Sequence, residues 1–107
     1  MSDQVSPVVA EIDRQIGVGA FVMMGTRLRV ADGDDLVFDI RGCQQFNRVR
    51  VHLTDRDTYE ISFVKLVGEN IVREEKASGV YGDTLHRAIE EHTGLSLIVP
   101  RVVGVNA

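Results

Sequence analysis

The stretch Asn47 to Phe63, NRVRVHLTDRDTYEISF, constrains this chain more than any other, because two runs of alternating polarity flank a short polar link. Val49, Val51 and Leu53 point one way and Arg48, Arg50 and His52 the other. On the return, Tyr59, Ile61 and Phe63 share a face, with Glu60, Ser62 and Val64 opposite. A link of Thr54 to Thr58 sets Leu53 against Tyr59, Val51 against Ile61 and Val49 against Phe63. One face is then apolar throughout, which pins the register, since a slip by one residue would turn the whole set toward water. On the outer face His52 falls opposite Glu60 and Arg50 opposite Ser62. Such a hairpin needs cover for its apolar face.

Amphipathic helices at either end can supply that cover. Val5, Val8, Val9, Ile12 and Ile16 lie on one helical face; Ser6 is placed to cap, Pro7 suits the first position, and Gly17 ends the segment. The spacing predicts a helix over Pro7 to Ile16 that depends on docking, because valine is a weak helix former. A second helix is predicted over Thr84 to Thr93, capped by Asp83, with Leu85, Ala88 and Ile89 as its stripe and His92 extending it. Gly94 stops it, and Leu95 can fold back on Ile89.

Between helix and hairpin, Ala20 to Val30 reads as a first strand. Thr26, Leu28 and Val30 alternate with Arg27 and Arg29, while Ala20 to Met24, AFVMM, is apolar on both faces, as in a strand covered twice or meeting a partner. Leu36, Phe38 and Ile40 alternate with Val37 and Asp39 in the next. For Leu28 and Val30 to share a face with Leu36 and Phe38, the loop must hold an odd number of residues. A three- or five-residue loop, or a bulge, is therefore expected around Asp32 to Asp35. Ile71 to Lys76 reads as a short charged edge strand and Ser78 to Gly82 as a loop. The segment LSLIVPRVVGV from Leu95 is apolar without helical period, a last strand or a docking arm, and Pro100 argues against a central strand.

The expected fold is α+β: an N-terminal helix, a four- or five-stranded, mostly antiparallel meander sheet, a C-terminal helix and an apolar tail. A length of 107 residues suits one domain, with 1–5 and 98–107 as flexible or partner-docking ends. The expected core is Val9, Ile12, Ile16, Leu28, Phe38, Ile40, Val49, Val51, Leu53, Tyr59, Ile61, Phe63, Leu85 and Ile89. A formal charge of −4 argues against a protein that coats DNA by neutralising many phosphates. Cys43 is the only cysteine, so no intramolecular disulfide framework exists. No run approaches the roughly 20 apolar residues of a membrane span, and no secretory signal is visible, so a cytoplasmic protein is expected.

The residues Phe21-Val22-Met23-Met24-Gly25-Thr26, Asn47-Arg48-Val49-Arg50-Val51-His52-Leu53-Thr54, Asp57-Thr58-Tyr59, Gly79-Val80-Tyr81-Gly82-Asp83 and Thr93-Gly94-Leu95 together resemble a group of small proteins encoded by bacteriophages and prophages. The resemblance covers about residues 15 to 97. Where that pattern has a Met-Thr-Gly-Ala run this chain has Met-Met-Gly-Thr, and the apolar tail has no counterpart. The resemblance implies a phage origin and a host-cytoplasmic location, and carries over no catalytic residue.

Among polar constellations, Arg48, Arg50, His52 and Glu60, joined by Arg27 and Arg29, offer arginines for phosphate and a histidine beside a carboxylate. That set suits a nucleic-acid-binding module (Arg27, Arg29, Arg48, Arg50) or a metal-independent ribonuclease (His52, Glu60, Arg50). A solvated sheet face explains the same residues more simply. His86 and His92 are six apart on different helical faces, Gly17-Val18-Gly19 lacks the context of a dinucleotide loop, and the DGDD turn lacks calcium-ligand spacing. No metal site or cofactor is expected, and Cys43 has no histidine beside it in sequence. The leading expectation is a non-enzymatic protein that contacts a protein partner or itself through Phe21, Met23, Met24, Leu97, Ile98, Val99, Val102 and Val103, with nucleic acid as the alternative partner.

Overall fold

In the computed structural model, which describes residues 6–97, five strands form one antiparallel sheet in meander order. They are β1 (Arg29–Asp32), β2 (Asp35–Asp39), β3 (Arg48–Leu53), β4 (Tyr59–Val67) and β5 (Asn70–Val80). Three helices, α1 (Pro7–Ile16), α2 (Val18–Met23) and α3 (Leu85–Thr93), accompany it. α1 packs on β2 and β3, α3 on β5, and both lie on the face carrying Phe38, Val49, Val51, Ile61 and Phe63. The expected helix, sheet, helix architecture is what forms. No helix among the described residues is long and apolar enough to cross a membrane.

The β3–β4 hairpin pairs as its alternation requires: Leu53 with Tyr59, Val51 with Ile61, Val49 with Phe63, His52 with Glu60 and Arg50 with Ser62. Thr54 and Thr58 close the link, the Thr54 N–H donating to the Thr58 carbonyl at 2.8 Å and the two hydroxyls lying 2.8 Å apart. α1 starts as expected, with the Ser6 hydroxyl accepting from the Val8 N–H at 3.1 Å. The same hydroxyl donates to Asp34 at 2.6 Å and so ties the helix start to the β1–β2 turn.

Several sequence expectations are corrected. The Ala20–Met24 run falls in the helix α2 and its C-cap Met24, not in a strand. Ala20, Phe21 and Met24 are buried while Val18 and Val22 are 74% and 70% exposed, a helical spacing. Gly25, at φ 64°, ends it: its N–H donates to the Val22 carbonyl and the Thr26 N–H to that of Phe21, a Schellman close. An apolar run this short reads equally well as strand or helix, and here the helix covers the β2 end of the sheet, where Phe21 meets Phe38 edge-on with centroids 5.3 Å apart.

The β1–β2 link is a two-residue turn, Gly33-Asp34, with Asp32 paired to Asp35, Val30 to Val37 and Arg29 to Phe38. Gly33 adopts φ 63° at the first central position, as a type II′ hairpin requires. Leu28, 50% exposed, and Val30 therefore leave the core, and Arg29 and Ala31 take the helix-bearing side. Apolar residues on an edge strand need not point inward. All of β1 is exposed, so turn chemistry set the register.

β5 is also longer than expected, running to Val80 and so into the predicted Ser78–Gly82 loop, with register shifts at Tyr59/Ile61 and Lys65/Leu66. α3 begins at Leu85 behind a 3₁₀ turn, Gly82–Thr84, in which the Thr84 hydroxyl accepts the Tyr81 N–H at 3.2 Å, so Asp83 does not cap it. Gly94 ends α3 in the left-handed conformation. Leu53 is half-buried at the core's margin. The core gains Ala20, Phe21, Met24, Leu36, Phe46, Val80 and Leu97.

Candidate functional site

Among the described residues, helices cover only one side of the sheet and nothing covers its other face. The strand alternation that buries Val49, Val51, Ile61 and Phe63 necessarily sends Asp35, Val37 and Asp39 of β2, Arg48, Arg50 and His52 of β3, and Glu60, Ser62, Val64 and Leu66 of β4 outward. Charge and apolar surface are segregated on this face. Along β1 to β3 runs a chain of ion pairs: Arg48 Nε donates to Asp39 at 2.7 Å, and Arg50 bridges Asp35, at 2.5 Å, and Asp32. His52 Nδ1 donates to the other Asp35 oxygen at 2.6 Å. Burial pushes Asp35 upward, but the hydrogen bonds and charge of His52 and Arg50 outweigh it and hold its carboxyl below the ordinary aspartate range. The carboxylates of Asp39, Asp32 and Asp35 raise Arg48 and Arg50 in turn.

The expected His52–Glu60 pair is adjacent in register, but the imidazole bonds to Asp35 instead and Glu60 stands exposed. The arginine row is split. Arg29 crosses to the helix-bearing side, where it pairs with Asp13 at 2.9 Å and lies 4.5 Å over the Phe21 ring. Arg50 is engaged by two carboxylates, and Arg27 lies away from it in a cleft at the end of the sheet. His52 retains the layout of an oriented general base, with Nδ1 held and Nε2 free of hydrogen bonds among the described residues.

On the β4–β5 side the open face turns apolar. Val37, Val64, Leu66 and Ile71 line a shallow groove of about 270 Å³, with Arg50, Ser62 and Glu74 at its margins. Beyond it, Ile71 and Val72 are 60% and 59% exposed on an edge strand whose outer side has no partner among the described residues. Sequence reasoning missed this groove because Val64, Leu66 and Ile71 fall on the side that alternation labels outer.

The expected interaction residues fare differently. Phe21, Met24 and Leu97 are core and unavailable, because α2 turns them inward and Leu97 is drawn in as its N–H donates to Glu90 at 2.9 Å. Met23 is half-buried, and Ile98, Val99, Val102 and Val103 lie outside the described residues. Both α3 histidines serve packing. His86 Nε2 donates to the Ile16 carbonyl at 2.7 Å and binds α3 to α1. His92 stacks on Phe63, centroids 4.5 Å apart, and bonds Glu75 at 3.1 Å. The fold also brings His92 and Cys43 to one cleft, a proximity that separation in sequence hid, although no hydrogen bond joins thiol to ring. No family model, curated protein or solved structure matches this chain.

Proposed function

We propose that this protein is a non-enzymatic phage accessory protein of the host cytoplasm that works by protein–protein contact, with a second copy of itself as the first partner to test. The observation that supports this reading is the sheet face left uncovered among the described residues, where the Val37/Val64/Leu66/Ile71 groove runs onto the exposed edge of β5. Apolar surface continuous with an unpaired strand edge is what partner strands and sheets dock against. The phage origin rests on the sequence resemblance alone. Nucleic-acid contact by this face is the weaker reading, since Arg48 and Arg50 arrive already neutralised by Asp39, Asp32 and Asp35.

Light scattering on the purified chain tests the proposal. The expected result is a mass above the 11.9 kDa of one chain that falls to the monomer in Val64→Asp and Ile71→Asp. A truncation must begin after Leu97, because cutting at Leu95 would remove a core side chain. A monomer in every form, with no protein recovered by the wild type from infected host cells that Ile71→Asp fails to recover, rejects the reading.

A further inference from the structure

We propose that the cleft at the end of the sheet, where β2 passes into β3, binds a phosphate group. Arg27, Arg41 and Arg48 line it together with Asp39, Asn47 and Leu66, an open cleft of about 300 Å³. That volume lies at the lower end of small-ligand sites, which run from about 300 to 1,000 Å³.

Backbone contacts outside the ladder place two of the three arginines, and β3 carries Arg48. The Arg27 N–H donates to the Asp39 carbonyl at 3.4 Å, and the Arg41 N–H to the Met24 carbonyl at 2.9 Å. Gly25 leaves room for Arg41, since a Cβ there would stand 3.1 Å from Arg41 Cβ. Asn47 fixes the far wall: its amide nitrogen donates to the Leu66 carbonyl at 2.8 Å and its oxygen accepts the Leu66 N–H at 2.9 Å.

Charge completes the argument. Arg48 spends its fork on Asp39, at 2.7 and 3.3 Å. Among the described residues, Arg27 and Arg41 have no carboxylate within ion-pair distance. Three arginines therefore line the cleft against one lining carboxylate, a local positive excess in a chain of formal charge −4. Like charges gathered without counter-charge repel, and a dianion removes that repulsion. Guanidinium forks match the spacing of phosphate oxygens and bind them through paired, charge-assisted hydrogen bonds.

The test follows arginine side-chain NMR signals while inorganic phosphate, a nucleoside monophosphate or a single-stranded oligonucleotide is added at constant ionic strength. Saturable shifts at Arg27 and Arg41 are expected. Arg27→Gln and Arg41→Gln should each weaken binding about tenfold. Both side chains are exposed, so the fold should survive either change, and Arg56→Gln in the distant β3–β4 link should bind as wild type does. The tightest of the three probes identifies the phosphate's source: free, on a nucleotide, or on a strand. Absence of saturation with every probe, equal shifts from chloride, or an equal loss in Arg56→Gln overturns the site. The readout is independent of oligomeric state and so of the contact reading above.

Discussion

Asp35 shows how one side chain organises the open face. It accepts from Arg50 and from His52 while only 20% exposed, so its charge is stabilised in the fold beyond what water provides. Its folded pKa is lowered, so near the ordinary value of 3.8 the unfolded chain binds this proton and the folded chain does not. The resulting stabilisation is present above that value and is lost as pH falls through the lower folded one. Thermal melts from pH 6 down to about pH 2 should therefore show Asp35→Asn starting less stable than wild type and losing less as acid is added; parallel curves would contradict it. His52 and Arg50 were legible as outward-facing residues, but their partner was not. Alternation along one hairpin supplies a single cross-strand neighbour, Glu60, whereas Asp35 arrives from the other side through the β2–β3 register.

Among the elements, α2 departs most from its sequence. Residues 20 to 24 are apolar at every position, so neither a two-residue nor a 3.6-residue period stands out. Two signals were available: Gly25 as a helix-ending residue, and the Ile16, Ala20, Met24 spacing that continues the α1 stripe across Gly17. A measurable asymmetry follows from the helix. Phe21→Ala, which empties a space against Phe38, should cost about 3–5 kcal/mol in chemical denaturation. Val22→Ala, on the exposed side, should change stability by no more than about 0.5 kcal/mol. A strand covered on both faces would make both changes costly. β1 teaches the same lesson at an edge, because its register follows Gly33-Asp34 turn geometry where burial imposes nothing.

In the whole molecule, the meander places β3 and β4 between hydrogen-bonded neighbours on both sides, with β3 under α1 and both strands carrying fully buried side chains. β1 has one neighbour and no buried residue. Native-state hydrogen exchange should therefore be slowest at the paired amides of Val49, Val51, Ile61 and Phe63 and fastest among the strands in β1. Comparable protection in β1 and β3 would mean that the edge is covered by something outside the described fold, which would itself favour association.

The sequence by itself determined the central hairpin, its register and its buried face, together with the start of α1 and the end of α3. Each of these rests on contacts between residues close along the chain: cross-strand pairs around one turn, a serine cap, a glycine stop. Tertiary structure alone decided that His52 belongs to Asp35 and that Arg27, Arg41 and Arg48 meet in one cleft. Those outcomes depend on which strand lies beside which and on what covers each face, and local period carries no record of either.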